Sequence, residues 1–385
     1  MRVLVLGCGN IGSVAAADLA KSMPTVDVVV ADRDLNMAKA TVKRIDEKNV
    51  SAAQVDASDR RQLAKALDDC DLALGFLPGN LGYKLIETCI SERKDLVDVS
   101  YMAENPLTLH ANAVKADVTV VPDCGLAPGI TNILAGNAST KLDAVKSIHV
   151  VVGGLPERPV PPLGYMITWS AESLIDEYTR KALIVKNGKR VTVKALTGLE
   201  EIEFPSLGRL EAFYTDGLRT LVDTMKGVEE MWEKTLRYPG HAEKIRLIEA
   251  MGFFDRKTVK INSVDVSPRA FTAKLFIRKL ARPKVRDIVA LQVEVEGLIG
   301  HEHASHVYRL LDRYDKVHET TAMARTTAYP ASIVAQLLLD KHVKQKGIVP
   351  PERIGANDEL FKRFLNELNK RGVTISEEKK VVQRQ

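Results

Sequence analysis

MRVLVLGCGNIG, residues 1–12, decides how the rest of the chain is read. An apolar run, Val3 to Leu6, leads straight into Gly7-Cys8-Gly9-Asn10-Ile11-Gly12, and helical spacing follows from Ile11 to Lys21. In a G-x-G-x-x-G so placed each glycine has a task. Gly7 makes the tight turn, Gly9 lets backbone approach a pyrophosphate, and Gly12 lets helix and strand pack closely. The helix start, with Asn10 and Ile11, offers unpaired N–H groups and partial positive charge to phosphate oxygens. Asp32 closes the next apolar run, Val28 to Val30. A carboxylate there accepts hydrogen bonds from ribose hydroxyls and repels a 2′-phosphate, which favours NAD. Arg33 beside it is able to pair with a 2′-phosphate, so NADP stays open.

Working outward, the rhythm repeats. β-branched or apolar runs at 51–56, 72–76, 96–99 and 118–121 alternate with helical spacing at 35–46, 59–67, 83–91 and 105–116. Continuous apolar strands separated by helices mean a parallel sheet buried on both faces, and six strands in this order predict a doubly wound α/β (Rossmann) domain. The strand ends then supply further cofactor contacts: Asp56 and Ala57 near an adenine edge, Leu77-Pro78-Gly79 beside a nicotinamide ribose, and Ser100 after the fifth strand. Asp56 reads equally well as an N-cap.

Beyond residue 145 the strands alternate and space out: SIHVVVGG, RVTVKAL, TVKINSVDV, IVALQVEVEG and HVYRLLDRY. Helices are expected near 170–180, 217–226, 241–251 and 268–281, giving a second α+β domain on a mainly antiparallel sheet. The expected division is 1–130 for the dinucleotide domain, joined by returning helices 321–345 that break near Pro330. Residues 131–320 form a substrate-binding and oligomerisation domain, and 346–385 a polar tail, frayed at its end.

Composition bounds the function. Basic residues number 55 against 50 acidic, so the net charge of +5 is spread thinly and does not argue for nucleic acid. No apolar run nears the roughly 18 residues of a membrane span, and residues 1–7 do not read as a signal peptide. Four scattered cysteines, Cys8, Cys70, Cys89 and Cys124, point to reduced thiols in a cytoplasm. His301-Glu302-His303 with His306 is not H-E-x-x-H and falls in an expected hairpin, so no metal is expected.

Immediately after the sixth strand stands Pro-Asp-Cys-Gly-Leu-Ala-Pro-Gly, 122–129, followed in order by GGLPERPVPPLGY (153–165), TWSAESLIDEY (168–178), LEAFYTDGLRTL (210–221), TLRYPGHAEK (235–244) and TAMARTTAY (321–329). This ordered set resembles the saccharopine dehydrogenase and lysine 6-dehydrogenase superfamily over nearly the whole chain. The GHAEK continuation is most similar to the lysine 6-dehydrogenases, since saccharopine-forming enzymes carry an aromatic residue at the place of His241. The resemblance implies NAD-dependent oxidative deamination of the lysine ε-amine to a semialdehyde that cyclises, by a homodimer or higher homo-oligomer built through the second domain. A saccharopine-type dehydrogenase, or another amino-acid or polyamine dehydrogenase, is the alternative. A cofactor-sensing regulator without turnover is a third reading.

Such chemistry needs a free amine. With an ammonium pKa near 10.4, about 3 units separate it from pH 7.5, or roughly 4 kcal/mol. His241, at a Pro-Gly turn before a helix, is one candidate base; its alternative is a helix cap. Asp123, at the carboxyl edge of the sheet, is the other; its alternative is a turn residue. Arg237 is the expected fork for the substrate carboxylate, with Arg209 and Arg219 behind it. Tyr101 and Trp169 are expected to wall the pocket, and Gly125 with Gly129 to bring backbone beneath the nicotinamide ring. Cys124 reads as a small packed residue. Pro156, Pro159, Pro161 and Pro162 read as a stiff rim or an inert crossover.

Overall fold

The computed structural model describes residues 1–282 and 286–382; the end of the expected tail, 383–385, lies outside them. The described chain divides into two compact units, 1–141 with 324–375 and 142–323 with 376–382.

In the first unit each expected strand forms and is followed by its helix. The order is β1 (Arg2–Leu6), α1 (Gly12–Ser22), β2 (Asp27–Asp32), α2 (Leu35–Ile45), β3 (Val50–Gln54), α3 (Arg60–Leu67), β4 (Leu72–Gly75), α4 (Gly79–Ser91) and β5 (Asp95–Asp98). A 3-10 turn (Pro106–Leu109), α5 (His110–Ala116), β6 (Thr119–Val121) and α6 (Ile130–Ser139) complete the run. Val3 to Leu6 and Leu72 to Leu74 are at most 1% exposed, as strands covered on both faces must be. At about 1.5–3 kcal/mol per fully buried aliphatic side chain, these runs dominate the stability of the sheet. Strand order is β3-β2-β1-β4-β5-β6 with parallel pairing, the doubly wound order expected from the motif.

The second unit is built on β7 (Ala144–Pro156), α7 (Ala171–Thr179), β8 (Ala182–Lys186), β9 (Lys189–Val193), β10 (Glu200–Phe204), β11 (Gly208–Tyr214), α8 (Leu221–Thr224), β12 (Glu230–Arg237) and α9 (His241–Ala250). After these come β13 (Val259–Ile261), β14 (Val264–Val266), α10 (Pro268–Leu280), β15 (Asp287–Ile299) and β16 (Glu302–Arg313). One mixed sheet results, with β12 and β7 parallel and the neighbouring pairs β10–β11, β11–β12, β7–β15 and β15–β16 antiparallel. TVKINSVDV does not join it. Asn262 and Ser263, both at positive φ, fold it into the separate two-stranded hairpin β13–β14.

Three expectations about the C-terminal third need correction. The helix expected to break at Pro330 is continuous: α11 (Ala322–Leu339) runs through it. A mid-helix proline costs about 3 kcal/mol, and full burial of Ala328, Ala331, Ile333, Val334 and Ala335 around it offsets that. The tail is not frayed over its described length. β17 (Gly347–Ile348) pairs with β6 at the sheet edge, α12 (Pro351–Ala356) and α13 (Asp358–Lys370) follow, and β18 (Ile375–Val382) lies beside β16. Arg309 to Glu378 at 2.8 Å and His306 to Glu377 at 2.9 Å anchor that last strand. Finally, α6 stands in the first unit, beyond the expected boundary at 130, because it crosses α12 backbone to backbone. A Cβ on Gly136 would stand 2.1 Å from the Glu352 carbonyl oxygen, and one on Gly355 1.9 Å from that of Ile133.

Candidate functional site

The residues expected to hold a dinucleotide all follow carboxyl ends of parallel strands, so the sheet itself gathers them along one edge. Gly7, at φ 90°, donates its N–H to the Ala31 carbonyl at 2.8 Å and lies against the Phe76 carbonyl, where a Cβ would stand at 2.5 Å. A Cβ on Gly12 would meet the Gly7 oxygen at 1.9 Å, which is the close strand–helix approach its position requires. Above Gly9 nothing stands within 4 Å, and Gly9 and Asn10 are exposed, leaving the first-turn amides of α1 open to a phosphate. The residues present therefore fit a dinucleotide.

Asp32 does two jobs at this edge. One carboxylate oxygen accepts the Cys8 N–H at 3.1 Å and the other the Asp34 N–H at 3.0 Å, so the glycine loop is tied to the end of β2. Burial, with Asp32 nearby, pushes the Cys8 thiol up to about 11. Arg33 is exposed next to it, and its carbonyl accepts from the Gln54 side chain at 3.0 Å. Asp56 is not the N-cap of α3. Asp59 is, accepting from Arg61 and Gln62, while Asp56 folds back on Ser58 at 2.6 Å and is held below the usual carboxylate range by it. Ala57, Leu77 and Gly79 are half-buried beside it and Pro78 is exposed. An exposed arginine at this position is a bidentate phosphate partner, so Arg33→Ala is expected to weaken NADPH binding at least about tenfold and to change NADH binding less than about twofold. Fluorescence titration of both reduced cofactors tests it, and equal losses would show that Arg33 does not read the 2′ position.

At the ends of β5 and β6 stand two buried carboxylates, of which the sequence reading picked only one. Asp98 closes β5, accepts from Ser100 N–H at 3.0 Å and Ser100 hydroxyl at 2.9 Å, and lies over Gly75, whose Cβ would be 2.1 Å away. Asp123 is 1% exposed at φ 53°. The Cys124 N–H donates to the Asp98 carbonyl at 2.8 Å, stitching the two strand ends together. Burial pushes Asp98 up to about 7, with the Asp123 carboxylate adding to the effect. Two carboxylates so placed retain a proton near neutrality more readily than either alone. Half-buried Tyr101 follows directly, its carbonyl against Gly79. Gly125 and Gly129 bridge each other, the Gly125 N–H donating to Pro128 at 3.1 Å, so the expected backbone platform is present. Cys124 is fully buried and burial raises its thiol, consistent with packing.

Asp98 has a consequence for stability. Its folded pKa exceeds the unfolded value near 3.9, so the native state holds the proton more tightly, and stability falls as pH rises from about 4 to about 7. Asp98→Asn removes that slope. Melting temperatures at pH 5 and pH 8 are expected to lie closer together in the variant than in wild type; an unchanged gap would count against the assignment.

The second unit holds a separate polar cluster, centred on Tyr165. Trp169 donates its indole N–H to the Tyr165 hydroxyl at 3.1 Å, Arg237 stacks over the Tyr165 ring at 4.6 Å, and His241 meets it edge-on at 5.5 Å. Trp169, Arg237 and His241, expected from separate motifs, are thus brought together. Two expected roles fail. His241 is 1% exposed; its Nδ1 sits 2.9 Å from the Leu163 carbonyl, which only accepts, so Nδ1 carries the hydrogen and Nε2 accepts from the Tyr178 hydroxyl at 2.8 Å. Burial and the nearby Arg237 charge bring it down to about 3. A neutral imidazole with both nitrogens engaged is no base for substrate. Nor does it cap α9: Glu211 does, accepting from Gly240 and Ala242. Arg237 is no free fork either, being 2% exposed and paired with Glu177 at 2.8 Å.

The remaining candidates disperse. Arg209 pairs with Glu201 on the surface, and Arg219 faces Asp216 at 3.8 Å. His303 and His306 are three apart on β16 and so take opposite faces of the strand. Among the described residues no group of three His, Cys, Asp or Glu is placed to hold a metal, and no described helix is long and apolar enough to cross a membrane. Pro159, Pro161 and Pro162 are exposed after β7.

Family models match almost the entire chain: the saccharopine dehydrogenase NADP binding domain over residues 3–121 and the saccharopine dehydrogenase C-terminal domain over 125–373. The chain belongs to the saccharopine dehydrogenase family. It is an oxidoreductase of that family with a nicotinamide cofactor site, NADP possible. It is 26% identical to the alpha-aminoadipic semialdehyde synthase of Arabidopsis thaliana over 91% of this chain, but spans only 42% of that protein. It is 25% identical to the NADP(+), L-glutamate-forming saccharopine dehydrogenase of Saccharomyces cerevisiae, covering 94% of this chain and 96% of the yeast one. A carboxyaminopropylagmatine dehydrogenase from Synechocystis is 20% identical over 94% of both. The apo yeast saccharopine dehydrogenase structure superposes with a TM-score of 0.79 over 99% of this chain at 23% identity, which shows the fold.

Proposed function

We propose that this member of the family oxidises the ε-amine of L-lysine, yielding the semialdehyde, which cyclises, and ammonia. The observation that carries the reading is the buried pair Asp98 and Asp123 at the carboxyl edge of the parallel sheet, beside the Gly125–Gly129 platform. An amine must shed a proton before its lone pair can drive hydride from the neighbouring carbon. Asp123 accepts that proton. Asp98, fixed by Ser100 and poised near neutrality, lets the pair hold it without building two charges in a buried place. When bound, the nicotinamide supplies the hydride acceptor. Water then replaces nitrogen at the oxidised carbon, releasing ammonia. His241 takes no part, and Arg237 shapes the second unit from within.

A saccharopine-type dehydrogenase is the second reading, favoured by the yeast relative of that name, which is matched along nearly its whole length. The same proposal carries a cytoplasmic homodimer or higher homo-oligomer acting on a small amino acid; four buried free cysteines support the reducing compartment.

The test is a panel of lysine, saccharopine, and semialdehyde with glutamate, each with NAD and NADP, following absorbance of the reduced cofactor. Lysine is expected to reduce cofactor, faster from pH 7 towards 10 as free amine appears. Silence with lysine while cofactor is demonstrably bound rejects the proposal, and turnover of saccharopine alone selects the second reading.

A further inference from the structure

A chain of buried polar groups runs through the second unit and ends on an acceptor without a donor. Arg237 pairs with Glu177; the Thr235 hydroxyl donates to Glu177 at 3.0 Å; the Thr215 hydroxyl lies 2.8 Å from that of Thr235 and donates to Glu233 Oε1 at 3.1 Å. Glu233, on β12, is 4% exposed, and its Oε2 has no partner among the described residues. Each other acid of the cluster has arginine beside it: Arg237 for Glu177, Arg180 at 3.6 Å and Arg219 at 3.8 Å for Asp216. Glu233 alone lacks a cation.

Leaving such an oxygen unmet costs about 1–3 kcal/mol, so a ligand that supplies N–H donors has a strong reason to bind. Burial pushes Glu233 up to about 8, with Glu177 and Asp216 adding to it, and an arriving cation reverses that. The way in is also built. Glu233 Oε2 lies under the loop after β11, and a Cβ on Gly217 would stand 1.2 Å from it, so glycine alone leaves that spot to the carboxylate. Asp216 and Arg219, on either side of Gly217 in this loop, are half-buried, so the loop reaches solvent.

We propose that Glu233, backed by Thr215, binds an ammonium group of the substrate other than the one that is oxidised. This rests on the amine-dehydrogenase reading and narrows it. The substrate carries two amines, and its second ammonium, not a carboxylate, meets this acid-rich place. In lysine that group is the α-ammonium.

The probes are L-lysine and 6-aminohexanoate, which lacks only the α-amine. Wild type is expected to prefer lysine at least about 100-fold in kcat/KM, and Glu233→Gln to shrink that preference at least about tenfold, chiefly through KM, because the contact is the same in ground and transition states. Glu233→Gln is nearly isosteric and removes a buried charge, so its melting temperature is expected to equal or exceed that of wild type. Thr215→Val is the second variant, expected to reduce the preference severalfold. An unchanged preference in both variants overturns the assignment while leaving lysine oxidation standing. If lysine gives no reduced cofactor at all, the dehydrogenase reading fails instead. Calorimetric titration of lysine into protein saturated with reduced cofactor then decides on Glu233 alone: binding lost in Glu233→Gln supports it, and equal binding overturns it.

Discussion

Asp123→Asn is expected to lower kcat for lysine oxidation by about 10²- to 10⁴-fold, the span lost when a positioned base is removed, with cofactor affinity unchanged within about twofold. Asparagine keeps the size of the side chain and leaves the carboxyl edge of the sheet intact, so the loss reports proton transfer. The comparison with Asp98→Asn is the informative part. If Asp98 acts through Asp123, its asparagine variant keeps much of kcat at high pH, where free amine is abundant, and loses most near neutrality. Rates of cofactor reduction between pH 6 and 10 separate the two. Equal pH profiles in both variants would make Asp98 a packing residue only, and an active Asp123→Asn enzyme would remove the base from the proposal.

The largest stability effect is expected from Glu177→Ala. It strands the Arg237 guanidinium, whose side chain is 3% exposed, in a place with no other carboxylate bonded to it. Breaking a buried pair on one side costs about 3–5 kcal/mol, a fall in melting temperature of about 10 °C for a unit of this size. The exposed pair Lys362–Asp358, geometrically as good at 2.6 Å, is by contrast worth under about 1 kcal/mol. Removing both partners together, Glu177→Leu with Arg237→Met, should recover most of the loss, since no charge is then left behind. Calorimetry on the three variants checks this. A double variant as unstable as Glu177→Ala would assign the effect to packing around Tyr165.

Local physics made the first unit legible. Gly7, Gly9 and Gly12 are needed by a turn and a close approach only a few residues long, and runs such as Leu72 to Leu74 are apolar because both faces are covered. Asp98 escaped because LVDV at 96–99 reads as one more apolar strand; the only signal was an acid inside a run that is otherwise buried. In the second unit the decisive partners are far apart in sequence. Glu177 meets Arg237 across 60 positions, and nothing in TLRYPG announces that the arginine is already taken. His241 was misread for the same reason, its partners Tyr178 and Leu163 lying 63 and 78 positions away. β18 looked like a frayed end because ISEEKKVV is highly charged, yet charge is what Arg309 and His306 on its neighbouring strand bind.

The first unit closes only when β17 and α12 return to β6 and α6. During synthesis, the opening 141 residues therefore leave the ribosome with one edge of their sheet bare and the Gly136 face of a helix uncovered. They wait for some two hundred more residues before the missing pieces arrive. A truncated product ending anywhere in that interval carries an open strand beside an uncovered apolar helix, which is a template for self-association. For this chain, loss of the last fifty-odd residues therefore damages the half that is synthesised first.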